Sequence, residues 1–222
     1  MHLTYICNSC FMFDVDGIRI LIDPHFENEE EVREKYPKFF EPDYVILTHG
    51  HSDHTDALDT LSRDCAIIAP FELCELLKKD YPDFHYLSMN VGGEITLMPF
   101  IRVNMVKAEH SSSYKGQYAG PAVGYVLRYK THSIYHAGDT SIFGDMYLIH
   151  GLYRPTLGLL PMDGIYTMDM DQVCFACRKY FDFKVMIPMH YSKNLPLRRL
   201  SDYLKNTTKV FKMQPMTDIC LD

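Results

Sequence analysis

Apolar and polar positions along the chain fall into short, strand-length runs separated by turn residues. The runs at 3–7 and 10–15 read as strands, and 18–22 returns after the Asp16-Gly17 turn. The β-branched run at 44–47 reads as a buried strand, with a helix expected over 57–61. Strand patterns at 65–69 and 84–87 flank a helical pattern at 71–79, and this alternation predicts a layered sheet with outer helices. After Gly92-Gly93 the pattern becomes antiparallel, at 94–98 and 101–107, then at 122–129 and 133–136 around Lys130-Thr131. An apolar strand at 157–160, a helix over 169–180, a strand at 184–187, a helix at 195–205 and a strand at 209–213 complete the expectation. Between the early strands, 26–43 is acidic and aromatic. It predicts a partly helical excursion with a solvated charged face and aromatics that could roof a pocket.

Several of these strands end in metal-ligand residue types. The run Thr48-His49-Gly50-His51-Ser52-Asp53-His54 follows the strand at 44–47 and holds four such residues in one turn. Residues two apart in an extended segment point the same way, so His49, His51 and Asp53 can face one cavity, and the turn lets His54 reach it from another side. Three imidazoles and a carboxylate exceed what one tetrahedral ion takes from a single loop, and suit two adjacent ions that also draw on distant loops. Asp23, His110, Asp139 and His190 each stand at a further strand end. A lone histidine is more often structural, but repetition in the same topological place favours a site. His136 falls on the opposite strand face from Asp139 and reads as structural. Cys7-x-x-Cys10 and Cys174-x-x-Cys177 raise the thought of a thiolate zinc site, but their placement in a strand and a helix favours buried core thiols.

Composition narrows the classes. A chain of 222 residues with 47% hydrophobic positions is long enough for one domain, 1–222, with a proper core. A formal charge of −7 argues against a sequence-independent grip on nucleic acid. No run is long and apolar enough for a membrane span. Seven cysteines without a leader pattern point to a reducing, cytoplasmic setting. A homo-oligomer is compatible with all of this.

The order T-H-G-H-S-D-H, a lone His, G-D-T and P-M-H resembles the metallo-β-lactamase superfamily, from Ile20-Leu21-Ile22-Asp23-Pro24 through His190. The resemblance implies an α/β (α+β) fold, a four-layer αββα sandwich of two mixed β-sheets with outer helices. Chain length, Ile165-Tyr166-Thr167-Met168 and Pro188-Met189-His190-Tyr191 are similar to the small UPF0173 metal-dependent hydrolases, a branch akin to ascorbate-6-phosphate lactonases. It also implies a ligand set: His49, His51 and His110 for one metal, Asp53, His54 and His190 for the other, and Asp139 bridging both. Asp23 would orient a ligand from behind. Asp53 and Asp23 are the candidate catalytic carboxylates, with Asp53 orienting the attacking water and accepting its proton. Two divalent ions are implied, zinc first, with Mn2+ or Fe2+ as alternatives. They would activate a bridging water to cleave a small ester, lactone or phosphodiester. Tyr191, Lys193 and Ser111 are candidate substrate contacts, for a small-molecule substrate. An RNA-processing nuclease on the same fold and a non-catalytic metal-binding protein are the alternative functions. One departure stands out: relatives often carry Gly-His-Ser where this chain has Cys7-Asn8-Ser9, and Asn cannot titrate or ligate as imidazole does.

Overall fold

The computed structural model describes residues 1–98, 100–191 and 197–221. Its contacts group into two compact units. One holds 1–90, 112–121 and 213–222, and the other 91–111 and 122–212.

The first unit is built on a seven-stranded mixed sheet. Its strands are β1 (His2–Cys7), β2 (Cys10–Val15), β3 (Ile18–Ile22), β4 (Tyr44–Ile46), β5 (Ala66–Pro70), β6 (His85–Met89) and β16 (Thr217–Cys220), in the order β16-β1-β2-β3-β4-β5-β6. The antiparallel half is local and turn-driven. Asp16 and Gly17 both take positive φ, and Gly17 N donates to Asp14 Oδ1 at 3.1 Å, which closes the β2–β3 hairpin. From β3 onward the pairing is parallel, so β3 and β4 end side by side. That pairing puts Asp23 next to the start of the histidine-rich turn.

The excursion after β3 forms α1 (Glu29–Lys35) and a 3-10 turn at Pro37–Phe40. Asn28 caps α1 by accepting from Glu31 N and donating to the Glu31 carboxylate, a reciprocal cap. Val32, Phe39 and Phe40 are buried in the unit's core, with Phe26 and Phe40 rings 4.8 Å apart. Phe26, Phe39 and Phe40 are therefore core, whereas the partly buried Tyr36 lines a cavity together with Ile6, Val32 and Met216, and the acidic residues face solvent as expected. The helix expected over 57–61 lies earlier. It is α2 (Ser52–Thr55), followed by a 3-10 turn at Leu58–Thr60. The ligand turn itself starts the helix, since His51 is still extended (ψ 153°) and its carbonyl accepts from the Thr55 hydroxyl.

The second unit holds another seven-stranded mixed sheet. It contains β7 (Glu94–Met98), β8 (Ile101–Lys107), β11 (Val123–Tyr129), β12 (His132–His136), β13 (Leu157–Pro161), β14 (Val185–Met189) and β15 (Lys209–Val210), in the order β15-β14-β13-β12-β11-β8-β7. β8 and β12 are each antiparallel to β11, and β12, β13 and β14 are mutually parallel. β8, β12 and β14 therefore run the same way and end on the same sheet edge. The helix expected over 71–79 is α3 (Phe71–Asp80) of the first unit, and the helices α4 (Met146–Tyr153), α5 (Met170–Lys179) and α6 (Leu197–Leu204) belong to the second. Phe183, fully buried, lies so close to the β13 backbone that a Cβ on Gly158 would sit 2.6 Å from its ring.

Two small elements went unanticipated: the hairpin β9 (Ser113–Tyr114) with β10 (Gln117–Tyr118), and the edge strand β16. The strand expected at 209–213 is two residues long. Among the described residues no helix is long and apolar enough to cross a membrane.

Gly158→Ala should lower stability by about 1–3 kcal/mol, because the added methyl must displace a buried ring. Urea unfolding checks this: the midpoint should fall with no change in slope.

Candidate metal centre

In the first unit the site begins with a buried carboxylate. Asp23 is fully buried at a positive φ of 49°. Its Oδ1 accepts from Thr48 N at 2.8 Å, and its Oδ2 accepts from Thr48 Oγ1 at 2.7 Å and faces His54 Nδ1 at 2.8 Å. An ionised carboxylate only accepts, so Nδ1 of His54 carries the proton and Nε2 is the nitrogen with metal-ligating capacity. Asp23 thus acts through His54 and Thr48 and is too enclosed to meet a substrate.

The other residues of the turn are arranged around this anchor. His49 is fully buried, with Nδ1 3.1 Å from Thr48 Oγ1 and Nε2 2.9 Å from His51 Nδ1. Two nitrogens about 2.0–2.1 Å from one tetrahedral zinc stand roughly 3.3 Å apart, so these rings converge as a pair of ligands would. Asp53 Oδ2 lies 3.6 Å from His54 Nε2 and accepts from Asn8 Nδ2 at 3.1 Å. Asn8, at φ 48° in the β1–β2 turn, therefore engages the candidate catalytic carboxylate directly. Gly50 is required for close approach: a Cβ there would lie 2.9 Å from the Ser113 carbonyl oxygen, and Gly50 N donates to Ser112 Oγ at 3.3 Å.

In the second unit the ends of β8, β12 and β14 deliver His110, Asp139 and His190. A single oxygen, Asp139 Oδ2, faces His110 Nε2 at 3.8 Å and His190 Nε2 at 3.2 Å. Asp139 is 3% exposed in its side chain, and the two histidines only slightly more, so the group is held in a low-dielectric setting. Thr140 Oγ1 accepts from Glu109 N at 2.9 Å and Ser141 N donates to the Glu109 carbonyl at 3.0 Å, which ties the His110 and Asp139 loops together. His136 is fully buried and its Nδ1 accepts from Gly138 N at 3.2 Å, a structural part of the same turn.

His190 has a second partner that the sequence reading missed. Its Nδ1 faces Asp163 Oδ2 at 3.3 Å. Asp163 Oδ1 accepts from the backbone N–H groups of Ile165, Tyr166 and Thr167 at 2.6, 2.8 and 3.1 Å. Burial pushes the Asp163 carboxyl up, but these donors and His190 outweigh it and hold the group below the ordinary carboxylate value. The clue in sequence is Asp163-Gly164, a turn-forming pair, with Gly164 at φ 78°.

His25 is another residue that sequence did not single out. It pairs with Asp56 at 2.9 Å, and the Asp56 carboxylate raises its pKa above the ordinary value against the opposing effect of burial. The substrate-side candidates lie in both kinds of setting. Ser111 is exposed, Tyr191 is half-buried with Lys212 Nζ 5.2 Å from its ring, and Lys193 lies outside the described residues. The C-x-x-C pairs are not ligands in kind. Cys7 and Cys10 are register partners across a hairpin rather than divergent residues of one strand, and both are buried. Burial raises the Cys7 and Cys177 thiols to about 12, which keeps them protonated.

The chemistry of this donor set, several imidazoles with carboxylates alongside, two of the imidazoles (His54 and His190) having Nδ1 held by a further carboxylate, fits divalent metal. Comparison with known proteins agrees. The family model described as "Beta-lactamase superfamily domain" matches residues 18–191, and the chain belongs to the metallo-β-lactamase superfamily. Within it the chain is one of the UPF0173 metal-dependent hydrolases. A member from Thermoplasma acidophilum is 39% identical over 187 residues, covering 83% of this chain and 80% of that protein. One from Caldivirga maquilingensis is 31% identical over 223 residues, covering 96% and 95%. The solved structure of Igni18, a metallo hydrolase from Ignicoccus hospitalis, superimposes with a TM-score of 0.86 at 33% identity, covering 98% of this chain and 97% of that one. The fold class is accordingly that of the metallo-β-lactamases, and the protein is a metal-dependent hydrolase.

Asp23→Asn should weaken metal binding about 10–100-fold, because it removes the acceptor that sets the His54 tautomer. Chelator competition measures it. The His25–Asp56 pair should contribute stability below about pH 6.5 that is lost as pH rises through the raised folded value. Urea midpoints at pH 6 and 8 check this, and the pH difference should shrink in Asp56→Asn.

Proposed function

We propose that the protein is a dinuclear metal hydrolase that cleaves a small ester, lactone or phosphodiester. The observation that carries the reading is Asp139 Oδ2, one carboxylate oxygen facing two histidines assigned to different ions. Each unit gathers donors of its own that support it: His49, His51, Asp53 and His54 in the first, and His110, Asp139 and His190 in the second. Zinc suits these imidazole and carboxylate donors, and manganese or iron would also be held.

When bound, a pair of divalent ions would supply an activated water at neutral pH and neutralise charge that develops on the substrate. The remaining work falls to this chain's own residues. Asn8 fixes Asp53 through Oδ2, so that this carboxylate orients the attacking water and accepts its proton. Asp23 keeps His54 in one tautomer, and Asp139 holds His110 and His190 in register with each other. Tyr191 and Ser111 line the approach of a small-molecule substrate. The net charge of −7 disfavours a polyanionic RNA partner and leaves the small-molecule reading ahead.

Elemental analysis of chelator-free protein should find about two ions per chain. Asp139→Ala should lose at least one of them, together with nearly all turnover on a panel of lactones, esters, thioesters and phosphodiesters. Full metal content with normal turnover in that variant would overturn the assignment of the bridge.

A further inference from the structure

The imidazole of His190 is held on both sides by carboxylates of its own unit. Nε2 faces Asp139 Oδ2 at 3.2 Å and Nδ1 faces Asp163 Oδ2 at 3.3 Å. Its backbone is at φ 45°, the left-handed region that a residue with a Cβ adopts only when its surroundings impose it. Asp163 is itself fixed. Its Oδ1 takes three consecutive backbone N–H groups, and its own N donates to Thr167 Oγ1 at 3.2 Å. Further along, Met168 N donates to the Thr140 carbonyl at 3.1 Å, one residue after Asp139. A carboxylate with one oxygen committed to its loop and the other turned to a ligand histidine is placed to orient, rather than to ligate.

We infer that Asp163 is a positioning residue for His190. It accepts the Nδ1 proton, fixes the tautomer and ring plane, and so presents Nε2 to the metal that Asp139 shares. The inference rests on the reading of His190 as a metal ligand. The same oxygen pair couples the site to the tip of the loop, where Ile165 and Tyr166 are 82% and 74% exposed.

Asp163→Asn separates the possibilities. The amide places a donor against Nδ1, or else turns and leaves three backbone N–H groups facing its NH2. In the first case the proton moves to Nε2 and the ligand nitrogen is blocked. Zn2+ titrated against a chelating dye, on the full chain stripped of metal, should show one site weakened about 10–100-fold. Thr167→Val, which perturbs the same turn without touching His190, should bind Zn2+ as the parent does. Proton–nitrogen correlation spectra of the metal-free parent should find His190 with its proton on Nδ1.

Unchanged Zn2+ affinity in Asp163→Asn overturns the inference. So does equal weakening in Thr167→Val, which would assign the effect to the turn. If Asp163→Asn does not fold, the spectra of the parent decide alone, and an Nδ1 without a proton rejects the role. Asp139→Ala is run alongside. Should it keep both ions, the assignment of Asp139 as the bridge fails; should the parent itself bind no Zn2+, the metal-centre reading fails, and both outcomes are distinct from failure of the Asp163 assignment.

Discussion

Burial of the Asp23 carboxylate is the constraint on which the ligand turn depends. An ionised group without water is costly unless every lone pair is met. Here three donors, the backbone and hydroxyl of Thr48 and the Nδ1–H of His54, reach its two oxygens. The result joins the ends of two adjacent parallel strands and fixes the direction in which the following turn leaves the sheet. Because Asp23 N also donates to the Ile46 carbonyl at 2.9 Å, the strand pairing runs without a break into the side-chain network. Position and protonation state are set by the same contacts.

The second unit solves the same problem with different parts. Parallel running of β8, β12 and β14 brings three strand ends to one edge, and hydroxyl-bearing residues such as Thr140 lace the loops behind them. Ligands carried on strand ends inherit the rigidity of the sheet, which loops alone could not supply. At the site Asn8, Asp23 and His190 take left-handed φ, as turn residues such as Asp16 and Lys130 do elsewhere in the described chain.

Much of this architecture was legible in the sequence. The β-branched runs and the Asp16-Gly17 and Lys130-Thr131 turns carry local signals, and the strands β1 to β3, β5, β8, β11 and β12 lie within a residue or so of their expected bounds. The ligand residues were legible because metal chemistry restricts residue types and spacing so tightly. What escaped depended on partners far along the chain. β16 has three exposed residues in four and no alternation to betray it, and exists because β1 offers an edge. α2 starts inside the ligand turn, directly after the extended His51, and so lies ahead of the helix start expected at 57–61. Asp163 looks like any turn residue until the strand carrying His190 is laid beside its loop. Asn8 and Asp53 are 45 positions apart, and only the fold brings the amide to the carboxylate.

The cysteines have a consequence of a different kind. Six of the seven are buried, and where burial has raised a thiol to about 12 almost no thiolate exists at neutral pH. Such sulfurs are poor targets for peroxide or alkylating reagents while the fold holds. Cys220, on the edge strand, is exposed. Among its cysteines the native chain thus comes with one exposed thiol, at which a thiol-directed probe could be attached without altering any other residue.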